Sequence, residues 1–421
     1  MDAKFSSDER VIITSNNGST VSRENFIVWA LEEQIKIKTY KSHSNQSLDS
    51  FQFSENAQSL AIVLQHEVVV FTISSLDDFK RQVKLAEEEQ NILKAPHVQK
   101  VAWLRGGWIM VMCFEIDYNP VNVAATRLFL YNVETRQERK WRAWSEHAKN
   151  GEIFVSERGD WVAISLRKFI KKNHYATVIQ IGNLLRKEEP LEITSLEVKD
   201  EVDSISWDWH NNRFAVVSED EATKKGINVR FVVSFYEIAF KNKSIEIGKI
   251  GEIRDNLQNR VVLASNGNFF ALYNITEESP EKGKFSLGLI SREGKDKGKR
   301  TLNFEFTKQN LIVSGMNFFH VDNSGRFILL GTEKGYQIWN FIGEIITKDT
   351  LQKNIFDVQW RPRVMTELPE EEERALIESE KEIRKKYEEQ DDKRINVLKY
   401  EKEAARLQQK QSFLQYIANK N

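Results

Sequence analysis

A unit of about fifty residues recurs through most of this chain, and it constrains the fold more than any other feature. Each unit has a turn residue, one variable residue, an aromatic and then a β-rich run. It reads Gly106-Gly107-Trp108-Ile109-Met110-Val111 and Gly159-Asp160-Trp161-Val162-Ala163-Ile164. It returns as Asn212-Arg213-Phe214-Ala215-Val216-Val217, Gly267-Asn268-Phe269-Phe270-Ala271-Leu272 and Gly325-Arg326-Phe327-Ile328-Leu329-Leu330. Gly and Asn both tolerate positive φ in a tight turn, and the aromatic opens a strand that packs into a core. A short strand precedes each turn, as at 98–103, 202–207 and 317–321. A third follows at 127–133, 229–238 and 336–341, and often a fourth, as at 35–40 and 244–250. Four antiparallel strands at this period predict the blades of a β-propeller.

Two earlier units are weaker. One comprises 48–53, 59–64 and 67–73. The first comprises 11–15, 26–31 and 35–40 and lacks an initial strand. The late segment Phe356-Asp357-Val358-Gln359-Trp360 resembles the initial strands Asp203-Ser204-Ile205-Ser206-Trp207 and Gln99-Lys100-Val101-Ala102-Trp103. It is expected to supply the missing strand and close the ring, removing open sheet edges. The count is about seven blades in an all-β, degenerate WD40-like propeller, with no helical periodicity in the region. The usual Trp-Asp at the end of a third strand survives only as Trp339-Asn340 and Trp29-Ala30, and Trp207-Asp208 ends a first strand instead.

From Pro369 to about Gln411 the composition changes to Glu, Lys, Arg, Gln and Ala, all good helix formers, with no Gly. Pro369 suits a first helical turn and Glu370 to Glu373 suit the positive end of the helix dipole. The pattern predicts a long C-terminal α-helix of roughly 40 residues, about 60 Å long. Its apolar residues are sparse and do not hold a heptad, which argues against a self-paired coiled coil. The domains expected are a propeller over 1–363 and a charged helix and tail over 364–421. Such a helix either lies solvated or docks a partner through its apolar residues.

Charge and cysteine content narrow the function classes. Net charge is -1 over 421 residues, so no global field draws the chain to nucleic acid or to an anionic membrane. The single cysteine, Cys113, excludes an intrachain disulfide and points to a reducing compartment. Met1-Asp2-Ala3-Lys4-Phe5-Ser6 has no apolar run, and no window approaches the roughly 18 apolar residues of a membrane span. These features predict a soluble, intracellular protein.

Catalytic signatures are absent. Gly294-Lys295-Asp296-Lys297-Gly298-Lys299-Arg300 has the wrong spacing for a phosphate loop and lacks the Ser or Thr after its lysine, so it reads as a basic surface hairpin. The histidines are scattered with no ligand spacing, and Cys113 lies mid-strand among apolar residues, as a buried inert thiol would. No metal, cofactor, small-molecule substrate or catalysis is expected. Three basic loops carry charge that could meet phosphates without reading sequence. These are Arg167-Lys168-Phe169-Ile170-Lys171-Lys172, then Lys224-Lys225, and Lys295 to Arg300 with Lys297 and Lys299 between. Charge of this kind more often belongs to a solvated loop than to an RNA contact.

Val233-Ser234-Phe235-Tyr236, Trp339-Asn340-Phe341-Ile342-Gly343 and Trp360-Arg361-Pro362-Arg363 resemble the b subunit of eukaryotic translation initiation factor 3, in order and spacing over most of residues 150–400. Lys385-Lys386-Tyr387 and Glu389-Gln390-Asp391 are similar to that family's tail helix. The resemblance implies a nine-bladed degenerate propeller ending in a charged helix, in a non-catalytic cytoplasmic scaffold of translation initiation. It implies docking on the small (40S) ribosomal subunit, protein and rRNA, by the propeller. It also implies binding of the i and g subunits by the helix, with the a subunit as a further partner, and no membrane. On this chain Trp360, Arg361, Pro362 and Arg363 fall at the propeller–helix junction. Ile383, Tyr387, Ile395 and Leu398 fall at helix anchors, and Arg167-Lys168-Phe169-Ile170-Lys171-Lys172 sits where the family carries a basic loop. The family's N-terminal RNA-recognition-type domain and about two blades have no counterpart here, as expected of a reduced version or of a C-terminal portion. A different propeller scaffold, such as an initiation factor 2A-like or ribosome-biogenesis protein, is the alternative.

Overall fold

A computed structural model describes most of residues 3–360, leaving out chiefly 16–23, 42–49, 85–90, 116–124, 142–147, 185–192 and 224–228. Beyond Trp360 it describes Ala375, Ser379, Lys385, Glu389 and Gln408, all helical. The chain divides into two compact units, Met1–Val364 and Met365–Asn421.

The first unit is a seven-bladed propeller of four-stranded antiparallel meanders. The first sheet holds β1 (Ala3–Phe5), β2 (Val11–Ser15), β3 (Glu24–Ala30) and β4 (Ile35–Lys41). The second holds β5 (Phe51–Phe53), β6 (Ser59–Leu64), β7 (Glu67–Thr72) and β8 (Asn91–Lys94). The third holds β9 (Val98–Trp103), β10 (Trp108–Glu115), β11 (Ala125–Asn132) and β12 (Glu138–Lys140). The fourth holds β13 (Ala148–Val155), β14 (Trp161–Lys171), β15 (His174–Asn183) and β16 (Ile193–Val198). The fifth holds β17 (Val202–Asp208), β18 (Arg213–Glu219), β19 (Phe231–Lys241) and β20 (Ser244–Asn256). The sixth holds β21 (Arg260–Leu263), β22 (Phe269–Tyr273), β23 (Lys284–Asp296) and β24 (Lys299–Ile312), and the seventh β25 (Met316–Val321), β26 (Phe327–Thr332), β27 (Gly335–Asn340) and β28 (Ile345–Thr350).

One turn design between first and second strands explains the repeat. Ser6, Ser54, Ser156 and Asp322 each close a first strand. The backbone N–H three residues on donates to the carbonyl of each: Glu9, Ala57, Gly159 and Gly325, at 2.8 to 3.0 Å. Those four residues have φ between 56° and 66°. The side-chain oxygen of the closing residue then accepts the N–H that opens the second strand. The pairs are Val11 to Ser6 Oγ at 3.0 Å, Ser59 to Ser54 Oγ at 2.8 Å, Trp161 to Ser156 Oγ at 2.9 Å and Phe327 to Asp322 Oδ1 at 2.8 Å. A local side-chain acceptor thus does what a ladder partner cannot do at a turn.

Burial follows from closing sheets on one another. Six clusters of buried apolar side chains each join two consecutive sheets, from first–second through to sixth–seventh. Phe214, Phe270 and Phe285 are wholly buried in them, each contributing about 1.5–3 kcal/mol by leaving water. Among the described residues no such cluster joins the seventh sheet to the first. There β2 alternates: Val11 and Ile13 are buried towards the second sheet, while Ile12 and Thr14 are half-buried on the other face, with Ile27 and Trp29.

Three sequence expectations need correction. The first sheet does not lack its initial strand: the three-residue β1 pairs with β2 through Ala3 to Thr14 and Phe5 to Ile12. The segment through Val358 and Trp360 is therefore not the missing strand, and both residues lie outside any strand. Nor is the region without helix. Helix α1 (Leu76–Lys84) joins β7 to β8, turning Leu76, Phe79 and Val83 into the first–second cluster. Its start is fixed by Ser75 Oγ, which accepts the Asp78 N–H at 3.1 Å, and by Asp77 and Asp78 in its first turn. Nine residues are too few for periodicity to stand out against the surrounding strands.

Candidate interaction surfaces

The meander sorts the basic loops between the two ends of the ring. The turns between first and second strands lie side by side at one end: the Arg105 N–H donates to Gly159 O at 3.0 Å, and Ser265 Oγ donates to Asn323 O at 2.7 Å. Antiparallel succession puts the third–fourth hairpins at that same end and the second–third turns at the opposite one. Arg167, Lys168 and Lys171 belong to the second–third hairpin of the fourth sheet, closed by Lys171 opposite His174. Lys299 and Arg300 belong to the third–fourth hairpin of the sixth sheet, closed by Asp296 opposite Lys299. The predicted rRNA contacts therefore do not form one surface. Lys172, Lys224, Lys225 and Lys297 lie outside the described residues. Arg167 is half-buried and stands opposite Lys149 in the ladder, while Lys168 is exposed.

The junction is anchored within the seventh sheet. After β28 the Leu351 N–H donates to Lys334 O at 2.7 Å and the Ile355 N–H to Glu333 O at 2.6 Å. Half-buried Trp360 then donates from Nε1 to His320 O, on the innermost strand β25, at 3.2 Å. Among the described residues the chain is thus tied to its own blade, at Leu351, Ile355 and Trp360. Arg361, Pro362 and Arg363, and the helix anchors Ile383, Tyr387, Ile395 and Leu398, lie outside the described residues.

Sequence reasoning looked for exposed apolar anchors in the tail and missed those on the rim. Every residue of β28 is exposed. Ile342, Ile345, Ile346 and Leu351 stand out there, with Ile312 of the neighbouring β24 at 65% exposure. The adjacent isoleucines in an otherwise polar outer strand were the signal available. On β20, by contrast, the charges are matched: Glu252 accepts hydrogen bonds from Lys249 and from Arg254, which hold its carboxyl below the usual carboxylate range.

Chemistry is sparse among the described residues. No group of three or more His, Cys, Asp or Glu is placed to hold a metal ion. Cys113 is buried among Val98, Val101, Ile109 and Val111 in the second–third cluster. Among the described residues no helix is long and apolar enough to cross a membrane.

Comparison with known proteins gives these surfaces a setting. No family model matches the chain. The B subunit of eukaryotic translation initiation factor 3 from Emericella nidulans is 22% identical over 414 residues, covering 89% of this chain and 53% of that protein. Its counterpart from Drosophila melanogaster is 19% identical over 436 residues, covering 98% of this chain and 56% of that protein. A solved structure described as that of the eukaryotic initiation factor superposes with a TM-score of 0.52 at 12% identity, over 87% of this chain and 81% of that one. That structural likeness speaks for the fold. The chain spans about half the length of the curated relatives it matches. Along nearly all of its own length, this chain is similar to the B subunit of eukaryotic translation initiation factor 3.

Proposed function

We propose that this chain is a non-catalytic scaffold of eukaryotic translation initiation factor 3, working in the cytoplasm on the small ribosomal subunit. The observation that carries the reading is the similarity to the factor's B subunit along 89 to 98% of the chain, together with the seven-bladed propeller fold. The ring contacts the 40S particle, and its basic loops supply charge for rRNA from two opposite ends. The tail beyond Arg363 is a docking helix for the i and g subunits, and the a subunit is a further neighbour in the complex. Trp360 supports this division of labour, because it ties the chain to β25 with only three residues between it and the tail.

Affinity capture from a cytosolic extract tests the tail. The full chain is expected to bring down the i subunit, and a chain ending at Arg363 to lose it. Changing Tyr387→Asp with Leu398→Asp is expected to weaken that capture at least about tenfold, roughly the loss of 1.4 kcal/mol of binding, while leaving the melting temperature of the ring unchanged. Identical partners for the full and shortened chains would sink the docking-helix reading. A fall in melting temperature on the double substitution would mean that these residues support the fold instead.

A further inference from the structure

We propose that the ring opens at one place, the seam between the first and seventh sheets, with the first sheet swinging out together with the second. The proposal goes beyond the scaffold reading and does not depend on it.

Burial sets the first sheet apart. Alternate residues of a strand face opposite sides, so a run of consecutive buried residues means cover on both faces. The second strand has such a run in the other six sheets, at 60–63, 109–113, 161–164, 213–218, 270–272 and 328–331. β2 has none: Val11, Ile13 and Ser15 are buried, and Ile12 and Thr14 between them are half-buried. β3 repeats the alternation, with Phe26, Val28 and Ala30 buried and Ile27 and Trp29 half-buried. Val11, Ile13, Phe26 and Val28 pack against the second sheet. The half-buried residues therefore share the opposite face, with half-buried Phe5 across the ladder from Ile12.

The seventh sheet has thin cover on its side of the seam. Trp339 is buried against the sixth sheet, so its neighbour Ile338 faces the other way. Ile338 is half-buried there, opposite exposed Thr347, and β28 is exposed at every position. Leu329 is buried on that side, opposite Ile338, so the cover is confined to the inner half of the sheet. Apolar burial is the main force holding one sheet on the next. Among the described residues it forms a cluster at each of the other six junctions and none at this one.

Each flanking sheet is fastened inward instead. Between the first and second, the rings of Phe26 and Phe51 lie 4.9 Å apart. Lys4 Nζ donates to Gln52 Oε1 at 3.0 Å, Arg10 Nη2 to Ile73 O at 3.3 Å and Lys38 Nζ to Val83 O of α1 at 3.2 Å. Between the sixth and seventh, Tyr273 stacks on Phe319 at 4.1 Å and Phe269 on Phe341 at 5.1 Å, and Thr307 Oγ1 donates to Phe341 O at 2.9 Å. On the seam face itself the Trp29 indole donates from Nε1 to Thr14 Oγ1 at 3.0 Å, within the first sheet. Parting the seam leaves that donor paired, so no desolvation cost arises there. Opening follows the least buried boundary, and the first sheet moves with the second.

Distances between paired spin labels, read by pulsed electron resonance on the full chain with Cys113→Ala, test the seam. Lys36→Cys with Thr347→Cys places labels on exposed positions of the first and seventh sheets. Lys36→Cys with Arg81→Cys spans the first–second junction, and Glu305→Cys with Thr347→Cys the sixth–seventh, all at exposed positions. Each control thus shares one label with the seam pair. Circular dichroism and melting establish that each protein is folded. The seam pair should show two distances, or a spread at least about twice that of either control, and the longer distance should grow in urea below the unfolding midpoint. A seam spread as narrow as the controls, unchanged up to global unfolding, overturns the proposal. So does a control pair that widens before the seam pair. If Cys113→Ala does not fold, hydrogen exchange on the unaltered chain decides the matter. An opened first sheet keeps cover on one face only, so amides of β2 and β3 should exchange at least about tenfold faster than those of β10 and β14. Equal protection would overturn the proposal. Neither readout involves the ribosome, so failure here leaves the scaffold reading standing.

Discussion

Replacing Gly159 by alanine is expected to destabilise the propeller by about 3 kcal/mol, read as a lowered midpoint in urea unfolding followed by tryptophan fluorescence. Two costs add. Gly159 has φ of +66°, a conformation that costs an L-residue about 1–2 kcal/mol. A Cβ there would also sit 2.5 Å from the backbone nitrogen of Arg105, which donates its N–H to Gly159 O across the third–fourth junction. Backbone cannot rotate aside as a side chain can, so the two sheets must part, at a further cost of about 1–3 kcal/mol. Ala57 supplies the control. It holds the same turn position at φ 56°. Ala57→Gly removes roughly 1 kcal/mol of strain but adds roughly 0.5–1 kcal/mol of unfolded-chain freedom, so its midpoint should barely move. A loss below about 1 kcal/mol for Gly159→Ala, on the scale of conformation alone, would mean that the two turns are not packed as described.

Arg213→Met is expected to cost about 3–5 kcal/mol, because it strands a buried carboxylate. Asp208 is wholly buried and accepts from Arg213 Nη2 at 2.7 Å, with Asn211 donating from Nδ2 to both its oxygens. The same Arg213 Nη2 reaches Gly267 O, also at 2.7 Å, so the pair joins the first–second turn of the fifth sheet to that of the sixth. Burying two ions is expensive, and their mutual attraction roughly repays it. Asp208→Leu with Arg213→Met should therefore recover most of the loss. It should stay below the parent by about 1–3 kcal/mol, the penalty for leaving Gly267 O without a donor. Equilibrium unfolding of the two single variants and the double variant gives the coupling directly. Purely additive losses would show that the two charges do not act as a unit.

The legible part of the fold was the part written in glycine and asparagine. Gly159, Asn212, Gly267 and Gly325 announce positive φ at a fixed place in the repeat, and all four have it. In the first two sheets the same place is held by Glu9 and Ala57, with φ of 60° and 56°. Nothing in their chemistry announces that conformation, so those sheets read as weak. Their signal lay three residues earlier, in Ser6 and Ser54, whose hydroxyls accept the N–H groups that open β2 and β6. β1 was missed because three residues carry no period. That omission made the segment before Trp360 look like a missing strand. The basic loops were visible as charge, but their division between two ends depends on strand count within a blade. Composition does not carry that information. The anchors proposed on the tail rest on its apolar spacing and on family resemblance.

Co-sedimentation with purified 40S subunits on a sucrose gradient tests the scaffold reading most directly. At low salt the chain should travel with the 40S peak. It should leave the peak as salt rises from about 50 to about 200 mM, the range over which several phosphate contacts are lost. A chain that stays at the top of the gradient at the lowest salt, while its melting curve shows a folded ring, would contradict the account.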